Sequence, residues 1–371
     1  MPNFHCFHLS RRQFLSAAAA NLAWVTLGAG TAMAFPRFSR SQAVVSRAQV
    51  MGTTFSQLQC GYMNLDYQEV FRQVCTLGFD RIRLCSYWNE IEPVENQFNF
   101  TQLDWLLEES DRAGVEVVLT VGMKAPRWPE FHFPTWVENR YDTVANQKPV
   151  DRTAALVDRA LHFTQAVVNH TRHAPALKYW QVENEPFTQL EITAGRFLSY
   201  EFVRREVALV RSLALPGQKL VLTSAISLPQ ANSKEDDRAF QESLNLADAV
   251  GINVYTKVPA GNSSFYLQPF PIYWRRLQNW QQQLVAGDRE AWIAEAQAEP
   301  WERNQLVATN KLNHPSSSPQ QAAKLVSTLA NQGFVGVMLW GCEYWYWQRQ
   351  QGALGWWSGM QKLLQTQTAQ G

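Results

Sequence analysis

The residues best suited to catalysis lie in the stretch from Leu177 to Pro186. An apolar run there leads into Glu183, Asn184 and Glu185, and Pro186 follows immediately. Proline cannot donate the backbone hydrogen bond of a sheet, so it marks the point where a strand becomes a loop. The pattern predicts a buried strand whose C-terminal end carries two carboxyl groups and one amide.

A second apolar run, from Ala291 to Ala294, leads into another carboxylate, Glu295. In a closed barrel of parallel strands, all C-terminal strand ends lie on one face. The carboxyl groups of the first run, Glu183 and Glu185, would then face Glu295 across the barrel mouth. Cleavage of a glycosidic bond needs two such groups: one protonates the leaving oxygen, and the other attacks the sugar or activates water.

The barrel itself is predicted from a repeated order of strand, polar loop, helix and glycine, which is typical of βα units. The predicted strands span residues 53–60, 80–84, 115–121, 177–183, 219–223, 249–254, 291–294 and 334–339. The predicted helices span residues 67–77, 101–113, 151 or 153 to 173, 197–213, 239–246, 272–285, 319 or 320 to 331, and 356–365. Eight strands close a (β/α)8 barrel. The alternative is an open doubly wound sheet, but no glycine-rich phosphate turn follows the first strand. We therefore predict an α/β protein with a single TIM-barrel domain.

The composition argues against several classes of partner. The 371 residues carry a formal net charge of +1, whereas binding to nucleic acid or an anionic membrane needs a basic surface. Neither the histidines nor the cysteines show the spacing of metal ligands, and no cofactor motif is present, so neither a metal nor a cofactor is expected. The 15 tryptophans have two interpretations: packing in a large core, or flat faces that stack on sugar rings.

The N-terminus has the features of an export signal. Ser10–Leu15 (SRRQFL) is close to a twin-arginine motif, a mildly apolar stretch follows, and Ala32–Ala34 forms an A-x-A cleavage site. A basic tail or a membrane anchor is the alternative. The predicted divisions are a signal peptide at 1–34, an export linker at 35–52 and the barrel domain at 53–371. We thus expect the twin-arginine machinery as a partner, a periplasmic or extracellular location, and a monomer.

Four cysteines remain once the signal is removed: Cys60, Cys75, Cys85 and Cys342. Most are expected to be buried small apolar residues. Cys60, Cys85 and Cys342 fall at or near the ends of predicted strands one, two and eight. Those strands adjoin one another in a closed barrel. One disulfide is therefore possible in an oxidising compartment.

The chain resembles the clan A glycoside hydrolases, the large (β/α)8 group that includes the cellulase-like family five. The resemblance rests on Asn184-Glu185-Pro186 at the fourth strand together with Glu295 at the end of the seventh. Phe79–Leu84 with the following Tyr87-Trp88 is similar to strand two of that group, and strand eight ends in Trp340. The likeness covers roughly residues 53–346.

The resemblance implies a mechanism as well as a fold. Glu185 would be the acid/base and Glu295 the nucleophile of a retaining hydrolase that cleaves β-linked oligo- or polysaccharides by double displacement. Five further side chains are implied in the substrate site: Arg83 beside the nucleophile, Asn184 at the sugar 2-hydroxyl, Tyr255 in reach of Glu295, Trp340 as a stacking floor, and Trp88 as a possible subsite platform.

Competing assignments stay open within the site. Glu183 shares the strand parity of Glu185, so both are expected to point to one side. Glu299 competes with Glu295, although it lies beyond the predicted strand end. Arg83, Tyr255, Trp340 and Trp88 could instead serve the surface or the core. Ala294 stands where the family usually has Thr or Ser, and no His-x-Tyr is present around strand six.

Two other functions remain as rivals. One is a catalytically inactive carbohydrate-binding or cell-envelope protein on the same barrel, which the presence of both Glu185 and Glu295 disfavours. The other is a redox enzyme exported by the twin-arginine route, which would carry a bound chromophore or metal.

Overall fold

Eight parallel strands form a closed barrel in the computed structural model. The structure describes residues 48, 50–144, 148–188, 193–228, 233–260, 264–302 and 313–368, and the barrel lies within the compact unit 45–371. The strands are β1 (Val50–Thr54), β2 (Arg81–Cys85), β3 (Glu116–Val121), β4 (Leu177–Val182), β5 (Lys219–Ala225), β6 (Ala249–Val254), β7 (Glu290–Gln297) and β8 (Gly336–Trp340). They pair in sequence order, and β8 closes the ring by pairing with β1. The predicted (β/α)8 fold is confirmed.

Helices surround the barrel and cover its outer face. They are α1 (Gln57–Tyr62), α2 (Tyr67–Cys75), α3 (Trp88–Ile91), α4 (Thr101–Ala113), α5 (Thr135–Arg140), α6 (Ala154–Thr171), α7 (Tyr200–Leu213), α8 (Lys234–Leu246), α9 (Pro271–Ala286), α10 (Pro319–Asn331), α11 (Cys342–Gln350) and α12 (Gly355–Thr368). Local signals set several boundaries. Asp66 and Ser318 cap α2 and α10 by accepting amide hydrogen bonds, and Gly114 ends α4 in the left-handed conformation (φ 69°).

The interior of the barrel is filled by side chains, as in a packed core rather than a pore. A small apolar cluster occupies this interior: Val118, Tyr179, Val221, Ala249, Trp292 and Met338. The guanidinium of Arg81 lies between the rings of Tyr179 and Trp292, 4.2 and 4.4 Å from their centroids. It also pairs with Glu116 at 2.6 Å. Arg81 and Glu116 are the first residues of β2 and β3, so this cluster lies toward the N-terminal ends of the strands. Active sites of such barrels lie at the opposite end, where the strands finish.

The first strand differs from the prediction. β1 begins at Val50, inside the predicted linker, and ends at Thr54. The residues after it form α1 because Ser56 turns the chain and accepts a hydrogen bond from the amide of Gln59 at 3.1 Å. The alternating sequence 53–60 therefore contains a helix cap and is not one long strand. Helix α11 and a small hairpin (Val258–Pro259 with Tyr266–Leu267) were not predicted either. The predicted signal peptide and most of the linker lie outside the described residues.

The four cysteines of the described chain are free thiols. Cys60, Cys85 and Cys342 are buried, as the sequence suggested. Burial raises the pKa of the Cys85 thiol to about 11 and that of Cys75 to about 12, which favours the unreactive thiol form. Within the part of the chain that is described, no helix is both long and apolar enough to cross a bilayer.

Candidate active site

Glu185 lies at the barrel mouth just beyond β4. Its backbone N–H donates to Thr223 Oγ1 at 2.7 Å, and its backbone oxygen accepts from Lys124 Nζ at 2.8 Å. The side chain of Asn253, at the end of β6, donates to Glu185 Oε1 at 2.6 Å. Thr223 of β5 and Lys124 of the loop after β3 thus fix the backbone of Glu185, and Asn253 at the end of β6 holds its carboxyl group.

The surroundings of Glu185 favour its protonated form. The residue is 5% exposed, and burial raises the pKa of its carboxyl group to about 8. The charge of Lys124 and the hydrogen bond from Asn253 lower the pKa of Glu185, whereas the charges of Glu130 and Glu295 raise it further. Glu185 can therefore hold a proton near neutral pH, as a general acid must.

Glu295 is aimed into the mouth by a β-bulge in β7. On the β6 side, Ile252 pairs with Ile293 but Asn253 pairs with Glu295, so Ala294 is an extra residue in β7. Such a bulge redirects the following side chain and is common beside active sites. Gly251 makes room for it, because a Cβ on Gly251 would lie 2.5 Å from that of Ala294.

Both oxygens of Glu295 receive strong hydrogen bonds. Arg83 Nη2 donates to Oε1 at 2.7 Å, and the hydroxyl of Tyr255 donates to Oε2 at 2.6 Å. The guanidinium of Arg83 is fully buried and also donates to Thr54 Oγ1 at 2.9 Å and Gln181 Oε1 at 3.2 Å. This ion pair and the hydroxyl donor stabilise a carboxylate, which is the form that a nucleophile needs.

Asn184 lies beside the two carboxyl groups with its orientation fixed. Its Oδ1 accepts from Gln181 Nε2 at 3.3 Å and from Thr223 Oγ1 at 3.4 Å. These bonds engage the oxygen, so the Nδ2 group is the one available to a ligand hydroxyl.

Trp340 is partly exposed at the mouth, and a buried arginine holds one face of its ring. The guanidinium of Arg127, from the loop after β3, lies 4.0 Å from the Trp340 ring centroid. Arg127 also pairs with Glu299 at 2.5 Å and Glu343 at 2.6 Å. The face of Trp340 against Arg127 is therefore covered, and the guanidinium of Arg83 lies 5.8 Å from the same ring centroid. Glu299, the alternative nucleophile, is engaged by Arg127 and not by Arg83.

A third carboxylate, Glu130, accompanies the pair. Its Oε2 lies 3.2 Å from the ammonium of Lys124, which is itself fully buried. Burial and the charge of Glu295 raise the pKa of Glu130, whereas Lys124 lowers it. No spacing in the sequence indicated Lys124, Arg127 or Glu130, since they lie in the irregular loop after β3. Asn253 and Thr223 could have been suspected, because they lie near the C-terminal ends of their strands.

Two sequence-based placements need correction. Glu183 does not point into the mouth with Glu185: β4 ends at Val182, and positive φ values at Glu183 (58°) and Glu185 (43°) break the strand alternation. Trp88 is fully buried, stacks on Phe163, and donates to Glu92 at 2.7 Å. Its ring offers no face to a sugar, so we exclude it from the proposed substrate site.

Arg83, Asn184, Glu185, Tyr255, Glu295 and Trp340 share one end of the barrel. Within the described ranges, no cluster of His, Cys, Asp or Glu has the arrangement of a metal site. The arrangement provides one carboxyl group that holds a proton, one paired carboxylate, an amide and an aromatic surface. These are the components of acid-assisted displacement at a sugar carbon.

Comparisons with known proteins agree with this geometry. The "Beta-galactosidase" model of glycoside hydrolase family 42 matches residues 63–197, which include Asn184 and Glu185. A GH5_18 enzyme from Streptomyces cattleya, solved with GlcNAc, superposes with a TM-score of 0.54 at 14% identity over 80% of this chain and 71% of that one. Xylanase 10B from Thermotoga maritima gives 0.52 at 13% identity over 79% and 83%.

A beta-galactosidase from the psychrophilic Marinomonas gives a TM-score of 0.54 at 13% identity, with 78% of this chain and 53% of that one covered. At these identities the solved structures establish the fold. Together with the family model and the closed eight-stranded barrel, they confirm the resemblance of this chain to the clan A glycoside hydrolases.

Proposed function

We propose that this protein is a retaining β-glycosidase that acts on β-linked oligo- or polysaccharides. The observation that carries the proposal is the contrast between two glutamates at the barrel mouth. Burial raises the pKa of Glu185 to about 8, whereas Glu295 accepts hydrogen bonds from Arg83 and Tyr255. The first environment suits a proton donor, and the second suits an anionic nucleophile.

The reaction would proceed in two displacements. Glu295 attacks the anomeric carbon while Glu185 gives its proton to the leaving oxygen, and a glycosyl–enzyme ester forms. Glu185, now ionised, removes a proton from water, and the resulting hydroxide equivalent displaces Glu295 from the sugar. Asn184 Nδ2 would donate to the sugar 2-hydroxyl during both steps. The face of Trp340 turned away from Arg127 would stack on the sugar ring.

The test is hydrolysis of a panel of aryl β-glycosides and β-linked oligosaccharides, including β-galactosides, β-xylosides and N-acetyl-β-glucosaminides. Proton NMR of the first product gives its anomeric form. We expect a β-configured product that mutarotates afterwards, and no activity in Glu295→Gln. An α-configured first product would contradict the retaining mechanism. Sugar binding without turnover on any substrate would favour the inactive carbohydrate-binding protein.

We also propose that the enzyme is exported by the twin-arginine route and acts in the periplasm or outside the cell. The support is the sequence of residues 10–34: paired arginines, a mildly apolar stretch and an A-x-A site. A β-glycan too large to enter the cytoplasm would be accessible to the enzyme there.

A further inference from the structure

Behind the catalytic face, two carboxyl groups are buried against each other. Glu183 follows β4 and Glu206 lies on α7, and both side chains are 0% exposed. The two carboxyl groups lie within hydrogen-bonding reach of each other, and each shifts the pKa of the other. Two ionised carboxylates at this distance would repel each other, and neither would have a hydrogen to donate. A proton held by one of them would remove the repulsion and supply the donor, and the mechanism above does not use either group.

The partners of each group show which one carries the proton. Glu183 Oε1 accepts from the amide of Met123 at 2.8 Å, and Oε2 accepts from the amide of Lys124. Glu206 Oε1 accepts from Thr164 Oγ1 at 2.7 Å, while Oε2 receives nothing from any amide or hydroxyl of the described residues. Glu183 is thus surrounded by donors and suits a carboxylate. Glu206 Oε2 is the oxygen in position to carry the shared proton.

Glu183 connects this pair to the acid/base. Its carboxylate accepts hydrogen bonds from the backbone N–H groups of Met123 and Lys124. The backbone N–H of Asn184 in turn donates to the backbone oxygen of Lys124 at 2.7 Å. The ammonium of Lys124 then holds the backbone oxygen of Glu185 at 2.8 Å. The fit is close, because a Cβ on Gly122 would lie 2.4 Å from the Glu183 carboxyl carbon. Movement of Glu183 would therefore shift the loop that carries Lys124.

We propose that Glu183 and Glu206 share one proton and act as a positioning pair that keeps Lys124 and Glu185 in place. The link to Glu185 rests on the proposed function, but the shared proton does not. Glu183 acts through the loop after β3 and touches no substrate.

The pair should respond to alkaline pH. Burial raises the pKa of both carboxyl groups; the presence of Glu183 raises that of Glu206 further, while the hydrogen bonds that Glu183 accepts lower its own. The charged groups acting on the pair are Lys124 on the side of Glu183 and Asp151 on the side of Glu206. Because the folded-state pKa of Glu206 lies above its unfolded value, its contribution to stability is complete at low pH. That contribution is lost as the pH rises through the folded-state pKa.

Glu206→Gln tests the position of the proton. A glutamine can accept from Thr164 through Oε1 and donate permanently to Glu183 through Nε2, so it imitates the protonated acid at every pH. The melting temperature of the wild type should fall as the pH rises through the folded-state pKa of Glu206. We expect Glu206→Gln to melt like the wild type near neutral pH and to lose much of that alkaline fall. Glu201→Gln, on the same helix but exposed, is the control and should keep the wild-type profile.

Glu183→Gln should be damaging where Glu206→Gln is not. Both oxygens of Glu183 accept from backbone N–H groups, so the Nε2 group of the glutamine would place one donor against another. We expect a lower melting temperature, faster hydrogen exchange at the Met123 and Lys124 amides, and a loss of roughly 10-fold or more in kcat with a smaller change in KM. If Glu183→Gln fails to fold, hydrogen exchange at the Met123 and Lys124 amides is measured in Glu206→Gln above neutral pH instead. We expect slower exchange than in the wild type, because the glutamine keeps its donor to Glu183 at every pH.

Three results would overturn parts of the proposal. A Glu206→Gln profile identical to that of the wild type would exclude the shared proton. Equal destabilisation by both glutamine variants near neutral pH would show that Glu206 is not the group that carries the proton. Unchanged kcat in a folded Glu183→Gln would remove the link to catalysis. Melting and exchange require no substrate, so failure of the proposed glycosidase activity would leave the shared proton independently tested.

Discussion

At the level of single residues, Glu185 and Glu295 show how one side-chain type is adapted to two tasks. Glu185 is buried beside other carboxylates, so its neutral form is favoured and its pKa rises to about 8. Glu295 lies on the guanidinium of Arg83 and accepts the hydroxyl of Tyr255, so its charge is stabilised. The chemical difference between the two lies entirely in their neighbours.

This division predicts a leaving-group effect in Glu185→Gln. Glutamine preserves the shape of the side chain but cannot donate a proton to the leaving oxygen. Hydrolysis of a substrate with a basic leaving group should fall by about 10²–10⁴-fold. The rate of glycosyl–enzyme formation from an activated aryl glycoside should fall much less, which single-turnover measurements would show. Equal losses on both substrates would argue against Glu185 as the acid.

Asn253 offers a test of how the acid is tuned. Its amide donates to Glu185 Oε1 at 2.6 Å and so favours the ionised form, which lowers the pKa. Asn253→Ala removes this donor, and the pKa of Glu185 should rise. The acid would then stay protonated to higher pH, and the alkaline limb of the kcat/KM profile should move upward by about one pH unit. A shift to lower pH would contradict the assignment; Glu201→Gln should leave the limb unchanged.

At the level of elements, the bulge in β7 decides where the nucleophile points. A regular strand would alternate side chains strictly, but the extra residue Ala294 displaces Glu295 relative to β6. The loop after β6 is fixed in turn by Gln297, whose side-chain oxygen accepts from the amides of Thr256 and Lys257 at 2.9 Å. This contact keeps the adjoining Tyr255 at its hydrogen-bonding distance from Glu295.

Gly251→Ala should disturb this bulge. The new methyl group would meet the Cβ of Ala294 at 2.5 Å, so β7 must move away from β6. We expect about 1–3 kcal/mol of destabilisation in denaturant unfolding, together with a reduced kcat because Glu295 moves with the strand. Gly61→Ala is a matched control, since nothing lies within 4 Å of its added methyl group. Equal stability of the two variants would show that the bulge tolerates the methyl group.

At the level of the whole molecule, the barrel gathers groups that are far apart in the chain. Arg83 and Glu295 are separated by 212 positions, yet they form a buried ion pair at 2.7 Å. Closure of β8 onto β1 makes this possible, because every strand then ends on the same face. Arg127, Glu299 and Glu343 make a second connection of this kind beside Trp340.

The predicted export route is also a property of the whole chain. Replacing Arg11 and Arg12 together by lysine preserves charge but removes the twin-arginine motif, so the protein should remain inside the cell as the uncleaved chain. Cell fractionation and the mass of the purified protein would measure this outcome. Arg37→Lys, beyond the expected cleavage site, should be exported normally. Export of the double variant by the same route would contradict the signal assignment.

Much of the architecture follows from local patterns in the sequence. Helices α4 and α10 and strand β6 match their predicted ranges closely because caps, glycine stops and apolar runs act over a few residues. Glu185 and Glu295 were identified because each follows a buried apolar run and stands in a motif that resembles the clan A glycoside hydrolases. The first strand was misread because Ser56, a helix cap, falls within an alternating pattern.

The sequence by itself indicated the barrel, through periodicity, and carboxyl groups at the ends of two buried strands. The choice of Glu185 over Glu183 and of Glu295 over Glu299 came from the resemblance to the clan A glycoside hydrolases. Only the tertiary structure decided the directions of the side chains. Positive φ values turn Glu183 toward Glu206 and away from Glu185, burial removes Trp88 from the cleft, and the loop after β3 brings Lys124 and Arg127 to the site. These outcomes depend on contacts between distant segments, and no local pattern encodes them.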